Sequence, residues 1–172
     1  MALERLRGCP ARVADVGTGS GALAVAMAAA APQALVWATD TSRCAVALAR
    51  ANVRRHGLGD RITVLLGDLL EPVPGPINLI VANMPYLPVA AACARPELSG
   101  EPEAALFAPG DGLGPYRRLI GAAAERLTAD GALVIQLHRR VMTADRDELA
   151  LLRAQLVPVS SGVSLPVPSL AA

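Results

Sequence analysis

Short apolar runs alternate along the chain with longer segments in which apolar and polar residues recur at helical spacing. The apolar runs end in glycine or a polar residue, as buried strands do where the chain turns, and helix-capping residues flank several of the longer segments. Strands are predicted at Arg12–Val16, Leu35–Ala38, Ile62–Leu66, Ile77–Ala82 and Gly131–Leu137. Helices are predicted at Gly21–Ala31, Arg43–His56, Pro115–Leu127 and Asp145–Gln155. Strands and helices therefore alternate through most of the chain.

This alternation predicts an α/β fold with a mostly parallel sheet and helices on both of its faces. In such folds, ligands bind beyond the carboxyl ends of the strands. Four of the predicted strand ends carry glycine-rich or polar residues: Gly17–Gly21, Asp40, Asp68 and Asn83. We therefore expect a ligand site at one edge of the sheet.

The composition is that of a single folded domain spanning residues 1–172. Apolar residues make up 53% of the chain and charged residues 18%, which excludes intrinsic disorder. The chain has 34 alanines but only four aromatic residues, which argues against a single-strand nucleic-acid binder built on aromatic stacking. All 16 basic residues are arginines, and the net charge of +1 predicts no general attraction to nucleic acid.

The cysteines and histidines do not form a pattern typical of metal sites. Cys9, Cys44 and Cys93 are odd in number and lack metal-ligand spacing, so we interpret them as free thiols of a cytoplasmic protein. His56 and His138 are isolated from each other and from any cysteine or carboxylate at ligand spacing. No metal is therefore predicted.

An uncharged run from Val16 to Ala38 follows several arginines and invites comparison with a signal peptide or membrane span. The run contains three glycines, Pro32 and Gln33, and alanine is only weakly lipophilic. We therefore predict that it belongs to the folded domain and that the protein has no membrane partner.

The segment Gly17–Gly21 lies between a predicted strand and a predicted helix. Its glycines permit a tight turn and allow a ligand to approach bare backbone at a helix N-terminus. The spacing also fits the relaxed dinucleotide-binding pattern, and Asp40 can accept hydrogen bonds from ribose hydroxyls in either case. The absence of lysine excludes a phosphate-binding P-loop. The residues alone leave open a nicotinamide dinucleotide, another nucleoside cofactor and an ordinary strand–helix turn.

The tetrad Asn83-Met84-Pro85-Tyr86 follows the fourth predicted strand. Amide and exocyclic amine nitrogens are poor nucleophiles because their lone pair is delocalised. An enzyme that alkylates one gains by holding both N–H groups with acceptors, so that the lone pair faces the electrophile. The Asn83 side-chain oxygen and the Met84 carbonyl are suited to this task, while Pro85 stiffens the turn and Tyr86 offers a flat wall. A strand-to-loop turn with a packed tyrosine is the structural alternative.

In combination, these motifs resemble those of class I S-adenosylmethionine-dependent methyltransferases. The chain is similar, more narrowly, to the HemK-type protein-(glutamine-N5) methyltransferases that modify peptide-chain release factors. The family's second signature is present as Glu101-Pro102, Ala105-Leu106, Asp111-Gly112-Leu113 and Tyr116-Arg117. The resemblance covers roughly Val13 to Leu137 and implies a Rossmann-like methyltransferase fold.

The resemblance also implies a role for each site residue. The methionine part of S-adenosylmethionine would lie against Gly17, Thr18, Gly19, Ser20 and Gly21. Asp40 would hold the ribose hydroxyls, and Asp68 with Leu69 would border the adenine. Asn83, Met84, Pro85 and Tyr86 would bind the substrate glutamine amide beside the sulfonium methyl. Asn83, Pro85 and Tyr86 are accordingly the candidate catalytic residues, with Asn83 bordering the cofactor as well.

The chain departs from the family pattern in several places. Met84 replaces the first proline of the usual Asn-Pro-Pro-Tyr tetrad, which predicts a looser turn that keeps the carbonyl acceptor. Phe107-Ala108-Pro109 and Gln136-Leu137-His138 replace the usual Asp-Gly-Gly and Glu-Ile-Gly. The family's N-terminal helical docking domain is expected to be absent, and residues 157–172 are expected to be weakly structured.

Three functional hypotheses follow. The first is methyl transfer to a glutamine of a protein substrate, a translation release factor. The second moves the acceptor to an adenine amine of a nucleic acid, which the near-neutral charge disfavours. The third is a cofactor-binding subunit or inactive paralogue that needs a partner subunit. A nicotinamide dehydrogenase is a weaker option because it leaves the tetrad without a role.

Overall fold

The computed structural model describes residues 10–84, 87–88, 107–108 and 113–136. The strands are β1 (Ala11–Val16), β2 (Ala34–Asp40), β3 (Ile62–Leu66), β4 (Ile77–Ala82), β5 (Leu87–Pro88), β6 (Phe107–Ala108) and β7 (Leu127–Ile135). The helices are α1 (Ala22–Ala30), α2 (Arg43–Arg55) and α3 (Gly114–Arg126). The predicted helix Asp145–Gln155 and the segment 157–172 lie outside the described residues.

Five strands form a parallel sheet in the order β3-β2-β1-β4-β7. The chain runs outward from β1 through β2 to β3, then crosses to the other side of β1 to form β4 and β7. This reversal next to β1 is the point at which ligands bind in doubly wound folds. The predicted α/β class with a mostly parallel sheet is confirmed.

Apolar side chains are buried on both faces of this sheet. One cluster packs α1 and α2 against the sheet, with Met27 and Val46 among its members. The other packs α3 and the segment after β3 against the opposite face, with Tyr116, Leu119 and Leu70 among its members. Helices therefore lie on both faces, as the sequence pattern predicts.

Most element boundaries agree with the prediction to within one or two residues, and β7 is the main exception. The strand begins at Leu127, directly after α3, rather than at Gly131. Leu127 pairs with Ile77, the register then shifts, and regular pairing resumes at Ala132 opposite Leu79. The turn-like residues before Ala132 therefore form an irregularity inside the strand instead of a loop before it. The pairing of β5 with β6 is a further feature that the sequence pattern did not predict.

The uncharged run from Val16 to Ala38 forms the end of β1, the glycine loop (Gly17–Gly21), α1 and most of β2. Within the part of the chain that the structure describes, no helix has the length and apolar character needed to cross a membrane. Trp37, in the middle of β2, packs beneath the guanidinium of Arg12, which lies 4.3 Å from the ring centroid. The only tryptophan thus has a packing role in the sheet.

Candidate active site at the carboxyl ends of the strands

The strand register brings the predicted site residues to one edge of the sheet. Val16, the last residue of β1, is aligned with Thr39 on one side and with Ala82 on the other. Asp40 is aligned with Leu66 at the end of β3. The segments that follow these residues, which include the glycine loop, Asp68 and Asn83, therefore emerge side by side.

Asp15, near the end of β1, anchors the glycine loop and the first turn of α1. Its side chain is buried, and Oδ2 accepts hydrogen bonds from the Thr18 hydroxyl at 2.6 Å and the Ala24 N–H at 3.0 Å. Gly21, the N-cap of α1, has no side chain to cap the helix, so the carboxylate of Asp15 satisfies one of the amides of its first turn. Burial raises the pKa of Asp15 to about 6, although these two hydrogen bonds act in the opposite direction.

Asp40 is fixed by backbone amides on both of its carboxylate oxygens. Oδ2 accepts a hydrogen bond from the Gly19 N–H at 2.9 Å, and Oδ1 accepts one from the Ser42 N–H at 2.8 Å. Each oxygen has a second acceptor position, so the carboxylate can also receive two hydroxyls. The geometry suits the predicted contact with a ribose diol.

The glycine loop is open on one side and closely packed on the other. Gly19 has φ +55°, and a Cβ built on it would have no neighbouring atom within 4 Å. Gly21 has φ +79°, and a Cβ there would lie 3.1 Å from the Ala49 Cβ of α2. The free space at Gly19, beside the Asp40 carboxylate, fits a ligand that lies against the backbone. The donor and acceptor set is thus compatible with S-adenosylmethionine.

Thr39 is a site residue that the sequence reasoning missed. Its carbonyl accepts hydrogen bonds from the N–H groups of Gly17 and Thr18, both at 2.9 Å. Its buried hydroxyl donates to the carbonyl of Leu69 at 2.8 Å. Leu69 has φ +47°, a left-handed conformation that is strained for a residue with a branched side chain. Thr39 therefore holds both the glycine loop and the segment predicted to border the adenine.

Asp68 forms an exposed ion pair with Arg118 of α3. This pair connects the segment after β3 to the helix that packs across the same face of the sheet. Next to it lies a cleft of about 330 Å³, lined by Leu69, Leu70, Glu71, Arg118, Ala122, Glu125 and Arg126. Since the cleft shares only Leu69 with the predicted site residues, it does not coincide with the predicted site.

The beginning of the tetrad differs from the loose turn expected of it. Asn83 is exposed at the sheet edge, whereas Met84 is buried, with 4% of its surface accessible. The Met84 N–H donates to the Tyr116 hydroxyl at 3.1 Å, and that hydroxyl lies 2.6 Å from the Met84 carbonyl. Pro85 and Tyr86 lie outside the described residues, so their predicted roles stay predictions.

The glycine loop and the tetrad approach each other at Gly17. A Cβ built on this glycine would lie 3.2 Å from the Met84 Cγ and 3.8 Å from the Asn83 carbonyl oxygen. The backbone at Gly17 is therefore packed closely against the start of the tetrad, and a side chain at this position would have no room.

Within the described ranges, no three His, Cys, Asp or Glu side chains are grouped so that they can hold a metal ion. His56 is exposed and forms the C-cap of α2, as predicted for a helix-end residue. Cys44 is a free, exposed thiol.

Comparison with known proteins places these features in a sequence family. The profile of the methyltransferase small domain matches residues 2–93. A release factor glutamine methyltransferase of Deinococcus radiodurans is 49% identical over 142 residues, which are 81% of this chain and 50% of the relative. A ribosomal protein uL3 glutamine methyltransferase of Bradyrhizobium diazoefficiens is 41% identical over 130 residues, covering 74% and 41% respectively. The chain thus spans about half the length of the curated relatives it matches.

Solved structures support the same assignment of the fold. The crystal structure of a ribosomal protein L11 methylase from Lactobacillus delbrueckii subsp. bulgaricus superposes with a TM-score of 0.64 at 25% sequence identity. The match covers 90% of this chain and 63% of the other. The parallel sheet and its helices therefore have the architecture of class I methyltransferases.

Proposed function

The chain belongs to the methyltransferase small domain family, and from this premise we propose that it transfers a methyl group from S-adenosylmethionine to the side-chain amide nitrogen of a protein glutamine. The observation that carries the proposal is the contact between the Asn83-Met84 turn and Gly17 of the cofactor loop. The similarity to glutamine methyltransferases supports the same acceptor chemistry.

Cofactor binding depends on the glycine loop and Asp40. The backbone of Gly17–Gly21, which is open at Gly19, receives the methionine part, and the carboxylate of Asp40 accepts hydrogen bonds from the ribose hydroxyls. Asp68 and Leu69, in the segment after β3, border the adenine. When bound, S-adenosylmethionine supplies an electrophilic methyl group.

The tetrad orients the acceptor amide. The Asn83 side-chain oxygen and the Met84 carbonyl accept one N–H each, which turns the nitrogen lone pair toward the cofactor side of the site. Although Tyr116 occupies one acceptor position of the Met84 carbonyl, a carbonyl oxygen has two. Pro85 limits the flexibility of the turn, and Tyr86 packs against the planar amide. Catalysis on this proposal arises from orientation and proximity, without a perturbed acid or base and without a metal. The nitrogen that gains the methyl group gives up one of its two protons along its hydrogen bond to the Asn83 oxygen or the Met84 carbonyl and from there to water, and the demethylated cofactor would leave as a neutral thioether.

The proposed substrate is a translation release factor, in keeping with the names of several relatives. The ribosomal protein uL3 is the second candidate, because relatives with that specificity match the same region. Both substrates belong to the translation machinery, so the reaction is proposed to take place in the cytoplasm. A nucleic-acid acceptor has less support because these relatives act on protein glutamine.

A methyl-transfer assay with two protein substrates tests the proposal. The chain is incubated with methyl-labelled S-adenosylmethionine and either a purified release factor or purified uL3, and the modified residue is located by tandem mass spectrometry. Label on a glutamine, lost when that glutamine is replaced by alanine in the substrate, is the expected result. Bound cofactor with no label on either protein, or label on added RNA instead, would contradict it. Label that appears only after a cell extract is added would point to a required partner subunit.

A further inference from the structure

Tyr116 lies in the first turn of α3 with its ring buried under the end of β4, only 1% of its surface being exposed. Its hydroxyl accepts a hydrogen bond from the Met84 N–H at 3.1 Å. The same hydroxyl lies 2.6 Å from the Met84 carbonyl oxygen and 3.2 Å from that of Gln136. Since a phenol has one proton, it donates to one carbonyl at a time, and the shorter distance favours Met84.

These contacts fix the backbone on both sides of Met84. Its N–H belongs to the peptide group shared with Asn83, and its carbonyl to the peptide group shared with Pro85. A single hydroxyl that bonds to both groups restricts both backbone torsions of Met84. Because the Asn83 Cα is attached directly to the first of these peptide groups, the direction in which Asn83 projects is restricted as well.

The hydrogen bond from the Met84 N–H is available only because residue 84 is not proline. Glutamine methyltransferases of the HemK type usually have a proline at this position, whose ring limits the backbone torsions and which has no N–H. In this chain, a hydrogen bond to Tyr116 takes the place of the ring. The contact of Gln136 with the same hydroxyl connects the turn to the end of β7, where the Gln136 N–H also donates to the Ala82 carbonyl.

We propose that Tyr116 is a positioning residue for the acceptor amide, acting through the Met84 backbone to hold the Asn83 side-chain oxygen and the Met84 carbonyl in their acceptor geometry. This inference rests on the proposed methyl transfer to glutamine. It adds a residue that contacts neither the cofactor nor the substrate but determines where the two acceptor atoms lie.

The first test replaces Tyr116 with Phe, which keeps the buried ring and removes only the hydroxyl. Misplacing the acceptors lowers kcat for the release factor or uL3, whichever is methylated, by about ten- to a hundredfold. The KM for that protein and the Kd for S-adenosylmethionine stay within about twofold, because the protein contacts and the cofactor loop are unchanged.

Asn78→Ala provides the matched control for a loss of stability. Asn78 lies on β4 at the end opposite to the tetrad, and its side chain accepts a hydrogen bond from the Arg12 N–H at 2.8 Å. Its replacement weakens the same strand without touching the site, so kcat stays within about twofold of the wild-type value. A Tyr116→Phe enzyme whose kcat equals that of Asn78→Ala would overturn the proposal.

A double-mutant cycle separates positioning from general packing. In a Met84→Leu background the N–H remains, and Tyr116→Phe retains its full effect on kcat. In a Met84→Pro background the ring limits the backbone and the N–H is gone, so the effect of Tyr116→Phe falls by about threefold or more. Equal effects of Tyr116→Phe in the two backgrounds would contradict the proposal.

Hydrogen exchange of the Met84 amide gives a readout that does not depend on activity. Tyr116→Phe is expected to speed this exchange by about tenfold while the amides of β1 keep their wild-type protection. If wild-type protein methylates no glutamine, the proposed function fails while this measurement still reports on the contact. If methylation is normal and the Met84 amide exchanges at the same rate in both proteins, the positioning role fails alone.

Discussion

The backbone N–H of Gly19 donates a hydrogen bond to the carboxylate of Asp40 at 2.9 Å. This contact joins the loop after β1 to the end of β2, so the group that would bind ribose also sets the conformation of the loop. Because Ser42 donates to the other carboxylate oxygen, the side chain is fixed before any ligand arrives. On the proposed function, Asp40 would therefore contribute to cofactor affinity in two ways, by accepting hydrogen bonds from the ribose and by holding the loop.

Asp40→Ala is expected to weaken binding of S-adenosylmethionine by about ten- to a hundredfold, the net loss of roughly one charge-assisted hydrogen bond of about 1.5–3 kcal/mol. Isothermal titration calorimetry measures the change. Asp60→Ala, which removes an exposed acid from the turn before β3, is the matched control and should bind the cofactor like the wild type. Equal affinities of the two variants would contradict the assignment of Asp40.

Gly19→Ala and Gly57→Ala compare two substitutions that strain the backbone equally, one inside the predicted cofactor site and one outside it. Both glycines have positive φ, +55° and +66°, and in both cases an added Cβ meets no atom within 4 Å. Each substitution should cost about 1–2 kcal/mol of unfolding free energy, the usual penalty for a left-handed residue with a side chain. Only Gly19→Ala should also weaken cofactor binding, by about tenfold or more, because its methyl group enters the space beside Asp40. Denaturant unfolding and calorimetry together check this, and an equal loss of affinity in both variants would be the contrary result.

Thr39→Val keeps the shape of the side chain and removes the hydroxyl that donates to Leu69. We expect the segment after β3 to relax from its strained conformation and cofactor affinity to fall by about three- to tenfold, the loss of roughly one hydrogen bond. Thr63→Val, an exposed position on the neighbouring strand β3, should leave affinity unchanged. Calorimetry with adenosine, which lacks the methionine part of the cofactor, should show the same loss of affinity of about three- to tenfold for Thr39→Val. A loss seen with S-adenosylmethionine alone would place the effect away from the adenine.

Asp15→Asn should change how stability depends on pH. The folded pKa of about 6 exceeds the ordinary aspartate pKa of 3.8, so between these values the folded protein binds more protons than the unfolded chain. The contribution of Asp15 to the free energy of unfolding therefore decreases as pH rises through this range. Asparagine keeps the acceptor for Thr18 and Ala24 without a charge to bury, so the variant should be the more stable at pH 7, by up to about 3 kcal/mol.

This stability difference should shrink toward zero as the pH is lowered from 7 to about 4, where the wild-type carboxyl is protonated. Urea unfolding at several pH values measures it. Asp60→Asn, which removes an exposed carboxyl, controls for the change in net charge. A difference that grows at low pH would mean that Asp15 is stabilised as a carboxylate in the folded protein.

The sequence was sufficient to predict the sheet and the strand-end positions because both depend on local patterns. Apolar runs with polar ends identify strands, and parallel strands put those ends at one edge. The irregularity of β7 was not predictable in this way, because it reflects how Leu127 and Ala132 pair with β4. Residues 128–131 look like a turn in the sequence, and only the register of the neighbouring strand draws them into the sheet.

Some site residues could be identified from the sequence and others could not, depending on how far along the chain their hydrogen-bond partners lie. Asp40 follows its strand directly and could be identified as an acceptor without knowledge of its neighbours. The role of Thr39 depends on a carbonyl thirty positions further on, at Leu69, and that of Tyr116 on a backbone 32 positions earlier. Such partners are set by the strand order and by the packing of α3, neither of which a local pattern contains.

The strand order also has a consequence for the order in which the protein is assembled. The elements β1 to β3 pair with their neighbours in sequence, so they close short loops at low entropic cost, whereas the β1–β4 pairing closes a longer one. The glycine loop and Asp40 lie within the segment from β1 to β3, and Asn83 joins them only when β4 pairs with β1. We therefore expect a nascent chain on the ribosome to bring the glycine loop and Asp40 together before Asn83 reaches them.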